Sequence, residues 1–333
     1  MPHPSLGVIV IIALALVFDF LNGMHDAANS IATVVSTRVL SPRFAVAWAA
    51  FFNFIAAFFF GVHVATTVGK GLVDPSVMNN QLLFSALVGA SLWNWLTIVV
   101  GIPVSSSHSL IGGMVGAGIA KAGTGCLIAK SLVTTTSFMI LSPPIGMLFA
   151  FSSMVAVMWI FRRQSPGRVN AFFKIGQLCS SAVLSLAHGS NDSQKTMGII
   201  AVLLYTNGLI GATFHVPWIV IISCYAVMGL GTLAGGWKVV HTMGNKVTKL
   251  KPQGGFCAET GGGLCILLCS HFGIPVSTTH VVTGSIVGVG ATQRLSAVRW
   301  GVAGRIVWAW VLTIPCAGLT AALTFYLIKL IRG

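Results

Sequence analysis

Gly101-Ile102-Pro103-Val104-Ser105-Ser106-Ser107-His108 and Gly273-Ile274-Pro275-Val276-Ser277-Thr278-Thr279-His280 are one octapeptide written twice. Six of the eight positions are identical, and at the other two serine becomes threonine. Upstream of each lies a polar cluster inside an apolar stretch, Asn22-Gly23-Met24-His25-Asp26-Ala27-Ala28-Asn29 in the first half and His188-Gly189-Ser190-Asn191-Asp192-Ser193-Gln194-Lys195 in the second. The offset between copies is 166 residues from Asp26 to Asp192 and 172 from Pro103 to Pro275, and beyond the octapeptide Gly112-x-x-x-Gly116 is echoed by Gly284-x-x-x-Gly288. Small residues at that spacing let helices approach closely, so packing explains the glycines but not the aspartates and hydroxyls. Duplicated halves with polar groups gathered at corresponding points are the pattern of a transporter.

Composition sets the solvent. With 55% hydrophobic and 7% charged residues and a mean hydropathy of +0.91, this chain of 333 residues is an integral membrane protein. Apolar runs long enough to cross about 30 Å of hydrocarbon fall near 5–21, 43–62, 82–100, 144–161, 171–187, 216–236, 257–272 and 300–328. Shorter runs at 30–37, 109–120, 126–140, 197–206 and 281–292 flank the polar clusters, and their Gly, Pro and Ser content predicts broken helices or hairpins. The net charge of +14 sits between the runs and sets topology rather than recruiting nucleic acid. Arg162, Arg163, Arg168 and Lys174, and Lys238, Lys246, Lys249 and Lys251, read as cytoplasmic, which places the N-terminus outside. The first run has no basic n-region and carries Asp19 and Asn22 into the first cluster, so it reads as a retained helix. The seven cysteines show no metal-site spacing, and Cys265 and Cys269 at i, i+4 read as packing.

The chain has only five acidic residues, Asp19, Asp26, Asp74, Asp192 and Glu259. An ionised carboxylate in lipid costs roughly 2.5–3.5 kcal/mol on insertion scales, so Asp26 and Asp192 must face a polar cavity and be paired, protonated or ion-bound. Asp74, in Val73-Asp74-Pro75-Ser76, reads as a turn, and Asp19 as a cap or an entry-path residue. Ser105, Ser106 and Ser107, like Ser277, Thr278 and Thr279, follow Pro-Val and open a helical piece. Hydroxyls and free N–H groups at a helix start favour an anion, and two such tips converging would surround a tetrahedral oxyanion. Asn29, Asn191 and Gln194 offer donors and acceptors to a partly protonated oxyanion. Lys195, three residues from Asp192, would neutralise that carboxylate or touch the anion. His25 places a group that titrates near neutral pH beside Asp26, and His188, His108 and His280 are candidates for relaying protons or binding a divalent ion. Glu259 has Leu87 at its equivalent offset and is a one-sided candidate for coupling or gating.

These four motifs, in order, resemble those of the PiT family of inorganic phosphate transporters over nearly the whole chain. The resemblance implies an all-α membrane protein of two inverted repeats, with broken helices, re-entrant hairpins and about twelve membrane segments. The repeats are taken as 1–161 and 171–333, joined by a short basic junction, 162–170. It implies phosphate held by Asp26, Asn29, Ser105, Ser106, Ser107, Asn191, Asp192, Gln194, Ser277, Thr278 and Thr279, with His25, Asp26, Asp192, Lys195 and Glu259 serving the coupling ion. His25 replaces the Asn of many members and is similar to the bacterial low-affinity, proton-coupled branch, which carries phosphate largely as a metal–hydrogen phosphate complex; sodium coupling is the alternative. An acidic position of some members is matched here by Asn53. The expectations are then a multi-pass symporter in the cell membrane, with inorganic phosphate and the bilayer as partners. No cofactor is expected beyond the coupling proton or sodium ion and a divalent metal travelling with the substrate, and a homodimer is left open. An anion channel is a weaker rival. An intramembrane hydrolase is disfavoured, because adjacent Ser107-His108 side chains rarely face each other and no nucleophile elbow surrounds them.

Overall fold

The computed structural model describes residues 4–211 and 213–332, and among them every regular element is helical. The first half comprises α1 (Leu6–Ser36), α2 (Pro42–Ile55), α3 (His63–Gly71), α4 (Asn80–Val100), α5 (Ser106–Ala122) and α6 (Ala129–Ile160). The second comprises α7 (Pro166–Thr206), α8 (Trp218–Ala234), α9 (Trp237–His241, continued by one π turn to Lys246), α10 (Pro252–His271), α11 (Thr278–Gln293) and α12 (Trp300–Arg332). Five helices, α1, α4, α6, α7 and α12, are long and apolar enough to cross a membrane, and two bent pairs, α2 with α3 and α8 with α9, qualify jointly.

The sequence predicts breaks at the polar clusters and at the two Pro-Val tips; the structure breaks at the tips but not at the clusters. α1 and α7 run unbroken through Asn22–Asn29 and His188–Lys195, so Asp26 and Asp192 lie mid-helix and cap nothing. The cluster glycines are contact points: a Cβ on Gly23 would lie 2.2 Å from the Met228 carbonyl oxygen, and one on Gly189 2.7 Å from that of Asn53. Likewise the runs 126–140 and 144–161 form the single helix α6, which continues through Pro143 and Pro144; prolines are tolerated in membrane helices where neighbours re-satisfy the freed carbonyls. The true breaks are the 84° bend between α2 and α3, the 66° bend between α8 and α9, and the extended segments before α5 and α11.

Those two extended segments set the architecture. α4 ends at Gly101, which adopts φ +80°, and the chain after α10 turns at Gly273 with φ +67°, a region that favours glycine. Thr242 donates to the Gly101 carbonyl at 3.0 Å and Thr67 to that of Gly273 at 2.8 Å, so each turn rests on the bent helix of the opposite half. The exchange continues in the packing, where α5 lies against α12 and α11 against α6. Gly112 and Gly116 meet the carbonyls of Ile314 and Gly318, and Gly284 and Gly288 those of Pro143 and Met147. Two apolar cores result, one around Phe18, Leu83, Met114 and Ile200, the other around Ile31, Met243, Ile266 and Val282. Backbone contact at these glycines leaves no room for a side chain. Gly288→Val should therefore lower the thermal midpoint in detergent by the equivalent of about 1–3 kcal/mol of overpacking. Gly167→Val, where a Cβ meets nothing within 4 Å, should leave it nearly unchanged.

Candidate functional site

α1 and α7 run antiparallel, Asp19 facing Thr196, Asp26 grouped with Asp192, and Thr37 facing Gln177. The N-terminal ends of α5 and α11 meet this pair at its middle. Asp192 receives the Lys195 ammonium at 2.5 Å on Oδ1 and the Thr278 hydroxyl at 2.9 Å on Oδ2. Lys195 also donates to the Ser107 hydroxyl at 2.5 Å and the Val276 carbonyl at 2.9 Å, so one ammonium ties α7 to both tips. Asp26 receives the Thr279 hydroxyl at 3.2 Å, and the Asn29 amide donates to both Thr278 and Thr279 at 3.1 Å. All of these side chains are buried.

Two histidines complete the centre. His25 Nδ1 lies 2.7 Å from Asp26 Oδ1, while its Nε2 stands between an acceptor, the Ile102 carbonyl at 3.2 Å, and a donor, the Val104 amide at 3.5 Å. The ring can therefore be satisfied in two protonation states. His188 Nδ1 lies 3.2 Å from Asn53 Oδ1, and Asn53 donates through its amide to Thr232 at 3.1 Å. That arrangement assigns the ring proton to Nδ1 and turns the Nε2 lone pair toward Asp192 Oδ2, 3.3 Å away. Two acceptors facing each other in a buried space call for a cation between them. Asp26, His188 and Asp192 each offer a ligand atom within 4.8 Å of the others, and the donor set of two carboxylates and an imidazole fits a proton or a metal cation. The Asn53 contact is the outer support such a histidine ligand ordinarily has.

The tip hydroxyls are not equivalent. Ser105 and Ser277 act as N-caps, accepting from the amides of His108 and His280 at 3.2 Å each. Ser107, Thr278 and Thr279 are engaged as described, and Ser106 Oγ has no partner among the described residues. The carbonyl oxygens of Asn29 and Asn191 are also unpartnered, the Asn191 amide being held by Ser270 at 2.9 Å. Gln194 stands apart from the tips: Oε1 accepts from the amides of Val64 and Ala65 at 2.9 and 3.3 Å, and Nε2 donates to the carbonyls of Gly61 and Ser190 at 2.7 and 2.6 Å. It fastens the start of α3. The His108 and His280 rings meet tilted by 35° with centroids 4.4 Å apart, and His280 stacks on Trp310 at 3.6 Å, beside an apolar cleft between α6 and α12. Asp74 is the expected turn residue: the Ser76 hydroxyl and amide donate to it at 2.7 and 2.9 Å, holding its carboxyl below the ordinary range.

Glu259 occupies a pocket of its own toward the C-terminal end of α1. Thr33 donates to its Oε1 at 2.6 Å, Gln177 to the same oxygen at 2.9 Å, and Ser180 to Oε2 at 2.5 Å. Sequence reading singled out Glu259 but not its partners. The signal was there: shifted by 166 residues within α1 and α7, and by 172 between α4 and α10, Thr33, Gln177, Ser180 and Glu259 become Ile199, Ile11, Leu14 and Leu87. A set of four polar residues replaced together by four aliphatic ones marks a site built on one side only.

Residues 22–321 match the model of the Phosphate transporter family. A protein of Rhizobium meliloti (strain 1021) described as "Probable low-affinity inorganic phosphate transporter" is 56% identical over 321 residues, covering 96% of each chain. A protein of Bacillus subtilis (strain 168) with the same description is 41% identical over 325 residues, covering 97% of each. Among solved structures, "The sodium-dependent phosphate transporter" superposes with a TM-score of 0.87 at 28% identity, covering 98% of this chain and 100% of that one.

The Asp192–Lys195 pair generates a stability prediction. Removing one member of a buried pair leaves the other charge uncompensated, at about 3–5 kcal/mol. Lys195→Met should lower the thermal midpoint in detergent markedly, and the double variant Lys195→Met with Asp192→Asn should recover part of that loss.

Proposed function

The chain belongs to the phosphate transporter family, and from that premise we propose that it is a proton-driven symporter of inorganic phosphate in the cell membrane. The observation that carries this reading is that Thr278 and Thr279 donate their hydroxyls to Asp192 and Asp26. Without a cation, the carboxylates occupy the donors that an oxyanion needs. A cation at Asp26, His188 and Asp192 satisfies those carboxylates and frees both hydroxyls to turn toward phosphate, beside Ser106 and the Asn29 amide. Cation and anion then bind favourably together and poorly alone, which is the thermodynamic requirement for symport. The near-absence of fixed positive charge at the tips suits a carrier that must also release its cargo, Lys195 being already committed to Asp192. Alternating access would rock the tips against α1 and α7 around this point.

The His25–Asp26 contact favours the proton as coupling ion, since the ring meets both a donor and an acceptor at Nε2. The Asp26, His188 and Asp192 group equally suits the metal of a neutral metal–hydrogen phosphate cargo, in which the metal would bridge carboxylate and phosphate. Sodium at the same group is the second reading, favoured by the likeness to a structure described as a sodium-dependent phosphate transporter. On the proposed function, Glu259 is the coupling residue on one side of the centre, reached through Thr33 of α1.

Labelled phosphate uptake into proteoliposomes with proton, sodium and magnesium gradients clamped independently tests the reading. Accumulation should follow an inward proton gradient and should not need sodium, while a requirement for sodium would replace the proton reading by the second one. Ser106→Ala with Thr278→Ala should reduce uptake more than tenfold, and Asp26→Asn should abolish gradient-driven accumulation. Unchanged uptake in both would remove these roles.

A further inference from the structure

Asp19 is a buried carboxylate that the site described above does not use. It lies mid-helix in α1 with 0% exposure, fourteen positions before Thr33, and seven-residue steps carry one helix face from Asp19 through Asp26 to Thr33, the donor to Glu259. Each step is two turns, about 10 Å of rise. Acid groups thus occur at three levels along the seam of α1 and α7: Asp19, the Asp26 and Asp192 centre, and Glu259. The basic cluster at the start of α7, Arg162 and Arg163 before it and Arg168 in its first turn, lies toward the Glu259 level, and by the positive-inside rule that end is cytoplasmic. Asp19 is then the outer level.

Its surroundings are those of a carboxyl that takes and gives a proton. Thr196 donates to Oδ1 at 2.9 Å, while Oδ2 has no hydrogen-bond partner among the described residues, although the Cys224 thiol and the Asn22 amide lie beside the group. Among the described residues the Lys195 ion pair and both histidine–carboxylate contacts involve Asp26 or Asp192, and none involves Asp19. The other titratable groups facing it are few. On α8 these are Cys224 and Tyr225, on α7 Asp192 and beyond it Lys195, and along α1 itself His25 and Asp26; α4 has none between Asn80 and Val100. α9, α10 and α11 meet α1 farther along, at Met24 and Ala32, at Thr33 and at Asp26, and of their charged groups Glu259 is the one bonded to α1. A plain staple between α1 and α7 would need only a hydroxyl or an amide. In the second half, 166 residues on, the position is Ser185, whose hydroxyl donates within its own helix to the Ser181 carbonyl, so the carboxyl is not a feature of the repeat. A carboxyl on one side only, with a single close hydrogen bond and no cation beside it, asks for a different reason.

We propose that Asp19 is the outer proton-binding residue of the coupling path: its Oδ2 accepts a proton from the external side and releases it toward the site once per cycle. One proton is gained and one lost, and no other bond changes. This inference rests on the proton-driven reading above.

The test compares two transport modes of the same proteoliposomes, net accumulation under an inward proton gradient and phosphate-for-phosphate exchange with no gradient. Asp19→Asn, which keeps the shape and the hydrogen bond to Thr196 but cannot bind or release a proton, should lose gradient-driven accumulation more than tenfold while exchange stays measurable. Asp19→Glu should restore part of the proton-driven accumulation. Asp19→Asn that accumulates phosphate with the unsubstituted protein's pH profile overturns the inference alone. Unsubstituted protein whose uptake follows sodium and ignores the proton gradient overturns the proton-driven reading and this inference with it. Should Asp19→Asn fail to fold, infrared titration in lipid decides between the unsubstituted protein and Asp19→Glu. A carboxylic acid C=O band that titrates with external pH and moves on lengthening the side chain supports the proposal, and no such band overturns it.

Discussion

The Lys195 ammonium is the node on which the centre of this protein depends. Within 2.9 Å it reaches Asp192, the Ser107 hydroxyl and the Val276 carbonyl, joining a long helix to the tips of α5 and α11 at once. In hydrocarbon a lone ammonium and a lone carboxylate would each be costly; held together with hydroxyl and carbonyl partners they become a tolerable polar island. The tips themselves therefore carry hydroxyls rather than charged side chains, and the one ammonium that reaches them is paired with Asp192.

The same island is where the two halves interlock. α5 packs on α12 and α11 on α6, while the turn glycines Gly101 and Gly273 rest on the bent helices of the opposite half. Asn29, from the first half, donates to Thr278 and Thr279 of the second, and Lys195, from the second, donates to Ser107 of the first. A tip moved in one half must break hydrogen bonds in the other. That is the kind of contiguous, discretely rearranging network through which binding at one point biases the whole.

The departures from symmetry carry as much meaning as the repeat. His25 stands where the second half has Asn191, Asn29 where it has Lys195, and the Glu259 pocket faces four aliphatic positions. A binding site shared between two similar halves can be built from what they have in common. Asp19 and Glu259 are likewise carboxyls present on one side only, with Ser185 and Leu87 at the equivalent positions.

Local pattern was enough for the solvent, the duplication and the family resemblance, and it pointed to Asp26, Asp192 and the two hydroxyl tips, which the fold brings together, because hydropathy, spacing and the scarcity of acid groups are properties of the linear chain. It located the breaks at the two Pro-Val tips but added false ones at the clusters, since Asn, Asp and Gly inside an apolar run look the same whether the helix unwinds or packs tightly on a neighbour; Gly23 against Met228 and Gly189 against Asn53 show that it packs. Nor could it separate Ser105 and Ser277, spent as caps, from Ser106, or see Gln194 fastened to α3. The partners of Glu259 lie 226, 82 and 79 residues away. Which polar group is satisfied, and by what, depends on contacts across such distances, and only the packed fold brings those atoms together.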